Sequence, residues 1–106
     1  MANKDVREKW TVESVTPVIE ETVLATEGVA SLQSVPPISQ GVLIKNIFGS
    51  VDVDIFVNVF YGCNIPEVSW IVQEKVKEAL ELGGIKADHI NIHIEGVDLS
   101  NVRKNE

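Results

Sequence analysis

The chain has 106 residues, and 9 Lys and Arg against 16 Asp and Glu give it a formal charge of −7 at pH 7. A chain of this length is one small domain. Its 44% hydrophobic residues are enough to line one core without disulfides or metal, which argues against intrinsic disorder. Nucleic-acid affinity depends on Lys and Arg that displace counterions, so the acidic balance argues against a DNA or RNA partner. It argues equally against adhesion to an anionic membrane.

The expected compartment follows from the N-terminal residues and the cysteine. Residues 1–9 are rich in charge and have no apolar run behind them, so we expect no secretory signal. The longest uncharged stretch, residues 28–44, holds prolines, glutamines and serines and cannot span a bilayer. Cys63 is the single cysteine, which permits no internal disulfide and fits a reducing compartment. We therefore predict a cytoplasmic protein without direct membrane insertion.

The first part of the chain predicts a strand, a helix and an extended segment. Weak alternation over residues 10–15 indicates a short strand. Thr16 then offers an N-cap oxygen, and a proline follows it at the first helical position. We expect a helix from about residue 17 to 27 that ends at Gly28. Residues 29–35 are extended by composition and lead into a loop that contains two prolines.

The next part predicts an antiparallel hairpin with a long second strand. Residues 42–48 form the first strand, and Gly49-Ser50 has the composition of a two-residue turn. The second strand covers residues 51–61, and its alternate apolar residues form a core face.

The last part predicts a long helix and a final strand. Asn64 caps a helix that runs to about Leu82, and three isoleucines alternate with polar residues in the strand after it: Ile90, Ile92 and Ile94. The element order is therefore β-α-β-β-β-α-β. It predicts an α+β fold, a two-layer sandwich in which a small mixed sheet carries two helices on one face. We expect a single domain over residues 1–106, with its core at about residues 10–98 and short flexible ends.

Two histidines and the cysteine invite chemical interpretations. Imidazole is a common metal ligand, but His89 and His93 on a strand lie about 13 Å apart, too far for one ion to bridge. Cys63 lies beside a predicted helix N-terminus, which can activate a thiol, yet no sequence signal supplies the base that a nucleophile needs. We interpret the histidines as a solvated strand face and Cys63 as a small turn residue. We expect no metal and no cofactor.

Asp52 and Asp54 share one strand face at about 7 Å, a separation that suits a pair of catalytic carboxylates. Alternation places them on the solvent side, so we interpret them as solvating charge. The chain contains no phosphate-binding loop, nucleophile elbow or zinc-protease motif, which predicts a non-enzymatic protein. One alternative stays open: a small enzyme or ligand-binding protein that uses Asp52, Asp54, Cys63 or His93 in a pocket. A KH-like RNA-binding module is a third interpretation, but its Gly-x-x-Gly clamp is absent.

Exposed aromatic residues exceed what a plain globular surface requires. Trp70 falls on the helix face of Glu74 and other charged residues, and Phe56 and Phe60 share the wet strand face with the two aspartates. Large aromatics beside a polar rim have the composition of interface anchors. We predict a protein-interaction module with Trp70, Phe56, Phe60 and Glu74 as contact residues. The alternative is that the N-terminal segment with Trp10 covers one of these aromatics.

Five segments carry a family resemblance. They are VIEE at residues 18–21, ATEGVAS at 25–31, YGCNIPEV at 61–68, VQEKVK at 72–77 and INIHIEGV at 90–97. With them the chain resembles, over about residues 10–98, the alkaline shock protein family of envelope stress response proteins. Residues 61–77 followed by 91–97 are the most specific part of the match.

The resemblance implies a small, non-enzymatic cytoplasmic protein of Gram-positive-type bacteria that supports cell-envelope homeostasis. Some members are held at the membrane by a separate membrane-anchored partner and assemble into larger oligomers. The resemblance therefore implies a protein partner anchored in the membrane, a homo-oligomer, or both. No catalytic residues are defined for the family, so none is carried over. The loop from Gln33 to Gly41 is shorter than the insertion that relatives often carry.

Overall fold

A computed structural model describes residues 11–36, 41–47 and 49–102, with the backbone alone at residue 47. The elements in this part of the chain are, in order, helix α1 (Val12–Leu24), strands β1 (Val29–Leu32), β2 (Val42–Ile47) and β3 (Ser50–Phe60), helix α2 (Ile65–Leu82) and strand β4 (Lys86–Asp98). The predictions of flexible ends and of cover by Trp10 concern residues 1–10 and 103–106, which lie outside the described residues.

Strand β3 is the centre of a mixed four-stranded sheet. On one side it pairs in parallel with β4 along its whole length. On the other side it pairs antiparallel with β2 through its first half and with β1 near its end. β1 and β2 therefore lie end to end along one edge of the sheet. The backbone of Phe56 bonds both: its carbonyl accepts from the Gln33 N–H at 2.8 Å, and its N–H donates to the Gly41 carbonyl at 2.8 Å.

Both helices pack on one face of the sheet. Alternation along β3 buries its odd-numbered apolar residues and leaves the even-numbered ones half-buried. The buried residues meet one apolar stripe from each helix in a single core. The central members of this core are Ile19 and Val23 of α1, Val51, Val53, Ile55, Val57 and Val59 of β3, and Val72, Val76 and Leu80 of α2.

The predicted fold class is confirmed, because the structure is an α+β sandwich with two helices on one face of a small mixed sheet. The predicted cap of the second helix is also confirmed, since the Asn64 Oδ1 accepts from the Glu67 N–H at 3.1 Å. α2 ends at Leu82, as predicted. Its buried face lies against the sheet because apolar residues recur every four positions.

The prediction of a short strand at residues 10–15 is wrong for the residues that the structure describes. Helix α1 starts at Val12, and the cap is Thr11 rather than Thr16. The Thr11 hydroxyl accepts from the Ser14 N–H at 3.1 Å, while the Ser14 hydroxyl accepts from the Thr11 N–H at 2.9 Å. This reciprocal capping box satisfies two N–H groups and outweighs the weak strand alternation. The helix then continues through Pro17, and the observed order is α-β-β-β-α-β.

The hairpin is confirmed, but Ser50 belongs to the second strand rather than to the turn. Ser50 already pairs with Ile47, so it is the first residue of β3. Gly49 has φ +88° and supplies the left-handed backbone of the turn.

Candidate functional site

The face of the sheet away from the helices carries two histidine–aspartate pairs. The His89 Nδ1 lies 3.1 Å from the Asp52 Oδ1, and the His93 Nε2 lies 2.9 Å from the Asp54 Oδ1. The Asn91 side-chain amide also donates to the Asp54 Oδ1, at 3.2 Å. Each pair joins β3 to β4 because the parallel register places these residues side by side on one face. The predicted solvated faces of the two strands therefore lie side by side and are bridged by two polar clusters, one at Asp52 and one at Asp54.

Two aromatic residues of β3, Phe56 and Phe60, lie on the same face of the sheet as the two histidines. Phe56 stacks on the His93 ring, with centroids 4.4 Å apart and an interplanar angle of 12°. Phe60 is half-buried on the same face. Ring stacking of the kind seen between Phe56 and His93 contributes about 1 kcal/mol beyond the area that the two rings bury. Phe56 therefore holds the His93 ring in place beside Asp54, a contact that the sequence did not predict.

Asn58 links β3 to β1 and to Gln33, the residue after β1, on the same face. Its side-chain amide donates to the Ser31 hydroxyl at 3.0 Å and to the Gln33 Oε1 at 2.9 Å. On its other side, a Cβ added to Gly96 of β4 would lie 2.9 Å from the Asn58 Oδ1. Hydrogen bonds of Asn58 therefore link β3 to β1 on this face, and Gly96 of β4 lies close to its side chain.

The two histidines are not brought together, since each is bonded to a different aspartate. Among residues 11–36, 41–47 and 49–102, no group of three or more His, Cys, Asp and Glu side chains is placed to hold a metal ion.

Cys63 lies apart from these pairs. It is half-buried against the core and lines a cleft of about 250 Å³ between the end of α1 and the start of α2. The residues that line this cleft are Glu27, Gly28, Cys63, Asn64, Glu67, Val68 and Ile71. The structure thus brings Asp54 to His93 and Asp52 to His89, and it places Cys63 in a cleft whose described lining contains neither histidine.

The outer face of α2 presents Trp70, whose exposed fraction is 60%. Glu74 is exposed on the same face, one turn further along. Glu74 also lines a cleft of about 190 Å³ between α2 and β4, together with Gln73, Lys77, Ala87, Asp88 and Ile90. The Gln73 side-chain amide crosses this junction and donates to the Ile90 carbonyl at 2.8 Å. The predicted exposure of Trp70 is confirmed, whereas its role as a contact residue stays a prediction, as do those of Phe56, Phe60 and Glu74.

Asp98 ends β4 and caps the turn that follows. The hydroxyl and the backbone N–H of Ser100 donate to its carboxylate, and both bonds hold the pKa of Asp98 below its usual value. The backbone bond measures 2.7 Å.

Residues 9–99 match the sequence model of the alkaline shock protein family. The description of this family is a cell envelope-related function. The chain belongs to the alkaline shock protein family. This membership confirms the predicted family, and the family description supports an envelope-associated role. No helix within the described ranges is both long enough and apolar enough to cross a membrane.

Two bacterial proteins are among the relatives of this alkaline shock family chain. YloU of Bacillus subtilis strain 168 is 34% identical over 64 residues, which are 59% of this chain and 53% of YloU. Spy1614 of Streptococcus pyogenes serotype M6 is 35% identical over 60 residues, which are 56% of this chain and 50% of that protein. Both are described as uncharacterized. The matched segments span about half the length of these relatives.

Solved structures share the fold. The copper form of the MamM CTD matches with a TM-score of 0.65 over 88% of this chain and 93% of that chain, at 14% sequence identity. A variant of the same domain in its nickel form has a TM-score of 0.65 over 82% of this chain and 100% of that chain, at 13% identity. At such low identity the likeness shows the α+β architecture alone.

Proposed function

We propose that this member of the alkaline shock protein family is a non-catalytic protein-interaction domain. In this proposal it supports cell-envelope homeostasis from the cytoplasmic side, through a membrane-anchored protein partner, through self-association, or both. The observation that carries the proposal is Trp70, a large aromatic residue with an exposed fraction of 60% on the outer face of a well-packed helix. The family description supports the link to the envelope.

Trp70 has the chemistry of a binding anchor. A tryptophan side chain buries up to about 250 Å² on binding, and its indole N–H supplies one directional hydrogen bond. Residues around it on α2, such as Glu74, Lys77 and Glu81, are exposed and charged. An aromatic centre with a polar rim is the usual arrangement of a binding hot spot.

The proposal is tested by affinity capture from detergent-solubilised cells that express the tagged chain. Trp70→Glu removes the anchor and adds a charge at its centre, so we expect recovery of the partner to fall by about thirtyfold, which corresponds to the loss of about 2 kcal/mol at a hot spot. Leu82→Glu is the matched control, because it makes the same change on the same helix at a residue with an exposed fraction of 84%. Bound proteins are identified by mass spectrometry, and circular dichroism checks that both variants fold.

Two results would contradict the proposed role of Trp70. One is equal recovery of every partner by wild type and Trp70→Glu. The other is equal loss in Trp70→Glu and Leu82→Glu, which would indicate a general effect of negative charge on α2.

A ligand-binding or enzymatic role is the second candidate, and the His93–Asp54 contact of 2.9 Å favours it. A histidine held by a carboxylate and an aromatic ring is pre-positioned to exchange a proton with a bound molecule. Asp54→Asn would abolish binding of a small ligand in this candidate and would leave partner capture unchanged under the interaction proposal.

A further inference from the structure

Strand β4 is an edge of the sheet, and within the described residues it pairs with β3 alone. It is 13 residues long. The outer side of a long edge strand presents a row of unpaired N–H and C=O groups, which is a template for another strand. What such an edge binds depends on which residues direct those groups outward.

The hydrogen bonds of β3 identify these residues. Phe56 and Phe60 bond with their backbone groups toward the β1–β2 side, so the odd-numbered residues of β3 bond toward β4. The 3.0 Å bond from the Tyr61 N–H to the Asp98 carbonyl agrees with this assignment. In a parallel pair, a residue whose backbone N–H and C=O bond to the neighbouring strand lies opposite a residue of that strand whose own N–H and C=O point away from the pair. The register partners of the odd-numbered residues therefore direct their N–H and C=O outward, and they are Ala87, Ile90, Ile92, Ile94 and Val97.

Gln73 marks this edge independently. Its side-chain amide donates to the Ile90 carbonyl at 2.8 Å, and this carbonyl is one of the groups that point away from β3. A rotatable side chain thus occupies a position that the N–H of an incoming strand can take.

The outward residues are placed symmetrically about Ile92. Extra residues in β4 at Asp88 and Glu95 shift the register near each end of the strand. As a result, outward groups recur two residues from Ile92 on both sides and again five residues from it on both sides. Two copies of β4 that run antiparallel about a twofold axis at Ile92 therefore place every outward residue opposite another outward residue. Each such pair exchanges two hydrogen bonds.

The charged side chains are self-complementary in the same register. Lys86 and Asp98 of the second copy face each other as an ion pair, and the polar side chains of His89 and Glu95 face each other further along the strand. Opposite charges in directly facing positions stabilise an antiparallel pair, and like charges destabilise it. Ile92 faces its own copy in the centre of an apolar row.

Neighbouring registers lack this complementarity. An axis at His93 would place Asp88 opposite Asp98 of the second copy, which are like charges. An axis at Asn91 would place His89 opposite His93 and leave Lys86 opposite a glycine. Charge complementarity therefore selects the axis at Ile92.

We propose that β4 pairs antiparallel with β4 of a second copy of this chain about a twofold axis at Ile92, so that the two sheets become one continuous sheet. This inference rests on the proposed interaction function and names one partner, a second copy, together with the surface and register that bind it. Both helix layers then lie on the same side of the joined sheet, since the axis is perpendicular to it.

The position of Trp70 supports the same axis. β4 runs opposite to α2, because Lys77 lines the cleft beside Asp88 whereas Gln73 reaches Ile90. Two residues of strand advance about 6.6 Å, and four residues of helix advance about 6 Å. Ile92 is therefore level with the helical position next to Trp70, so Trp70 and the axis lie at the same height along β4.

A cysteine scan tests the register. In a Cys63→Ser background, Ile92→Cys places two thiols in a hydrogen-bonded pair with Cα atoms about 5.5 Å apart, within the range that a disulfide bridges. Ile90→Cys is the matched control, because its own copy lies about four residues away along the strand, or about 13 Å. We expect mild oxidation with oxidised glutathione to convert Ile92→Cys to a covalent dimer of twice 11.7 kDa, 23.4 kDa, at least tenfold faster than Ile90→Cys. Equal rates for the two variants overturn the register.

Sedimentation of the full chain without cysteine substitutions tests the pairing itself. Ile92→Pro removes an N–H that points away from β3, so the β3–β4 ladder stays intact while the edge loses its central bonds. We expect the wild-type chain to sediment as a dimer and Ile92→Pro to raise the dimer Kd by at least tenfold. A charge swap adds a second test: we expect Lys86→Asp alone to weaken the dimer. Combining Lys86→Asp with Asp98→Lys recreates the facing opposite charges and is expected to restore it.

The outcomes separate this inference from the proposed function. A wild-type chain that stays monomeric at about 1 mM overturns the β4 pairing, while the interaction function still stands if Trp70→Glu loses a captured partner that Leu82→Glu keeps. A dimer that Ile92→Pro leaves unchanged also overturns the pairing. Loss of the dimer in Ile92→Pro, with register-specific oxidation of Ile92→Cys, supports it whether or not a membrane protein is captured.

Discussion

Gly28 is a single residue at which three elements of the fold meet. It follows the end of α1, and its carbonyl accepts from the Phe60 N–H at 2.9 Å, which ties the turn to the end of β3. Its φ is +99°, and an added Cβ would lie 2.7 Å from the Val68 Cγ2 of α2. Val68 is itself in the core, so it has no room to move away. The sequence predicts that the first helix runs to residue 27 and ends at Gly28, which is wrong, because α1 ends at Leu24 and its cap is Ala25. The structure instead places Gly28 between α1 and β1, in close contact with α2.

Gly28→Ala is expected to destabilise the protein by about 3 kcal/mol, because it combines left-handed backbone strain with overpacking against Val68. Gly62→Ala is the matched control. Gly62 has φ +91°, but an added Cβ there meets no heavy atom within 4 Å, so backbone strain of about 1 kcal/mol acts alone. Urea unfolding of both variants measures the difference. Equal losses in the two variants would show that α2 yields at Val68.

At the scale of elements, the start of α1 shows why a local pattern can mislead. Weak alternation over residues 10–15 predicts a short strand, and the Thr16-Pro17 pair predicts a later helix start. The reciprocal bonds between Thr11 and Ser14 start the helix earlier, and Thr16 instead donates to the Val12 carbonyl at 2.7 Å. Thr11 and Thr16 have the same cap propensity, and the reciprocal bonds with Ser14 favour Thr11.

Thr11→Ala is expected to lower the free energy of unfolding by about 1 kcal/mol, the usual loss for a removed N-cap. Thr22→Ala deletes the same atoms from the same helix, where the Thr22 hydroxyl donates to the Val18 carbonyl at 2.8 Å. Alanine has the higher helix propensity, so this control is expected to be neutral or slightly stabilising. Thermal unfolding compares the two. A larger loss in Thr22→Ala than in Thr11→Ala would contradict the observed cap.

Strands β3 and β4 show which features of the candidate site can be predicted from the sequence. Alternation predicts the core face of β3 and the wet face that carries Asp52 and Asp54, and both are observed. The partners of these aspartates are set by the parallel register, which extra residues at Asp88 and Glu95 shift. A bulge has no reliable sequence signature, so the pairs with the histidines were not predicted. Exposure of Trp70, which depends on helical period alone, was predicted.

At the scale of the whole molecule, charge opposes self-association. Each chain carries a formal charge of −7, so two copies repel each other over distances of about one Debye length, which is about 30 Å at 0.01 M salt and about 8 Å at 0.15 M. The facing pairs across the proposed β4 edge act at much shorter range. Long-range repulsion is therefore screened more strongly than the pairing itself.

We expect the dimer Kd to fall several-fold when salt is raised from about 0.01 M to about 0.15 M, because screening removes repulsion between the two acidic chains. Sedimentation equilibrium at the two salt concentrations measures the change. Lys45→Glu is a suitable comparison, because it adds negative charge on β2, away from the β4 edge, and is expected to steepen the dependence. A Kd that rises with salt would show that the facing ion pairs dominate.

The end-to-end arrangement of β1 and β2 makes the chain between them a permissive insertion point. The two ends of this connecting segment, Gln33 and Gly41, both bond to the backbone of one residue, Phe56. The distance between these two ends is therefore the same however many residues connect them. Each doubling of the length of a flexible loop adds only about 0.6 kcal/mol to the free energy of closing it. This edge lies on the opposite side of β3 from β4. A fluorescent label or peptide epitope inserted there would report on the protein in cells while leaving the β4 edge accessible.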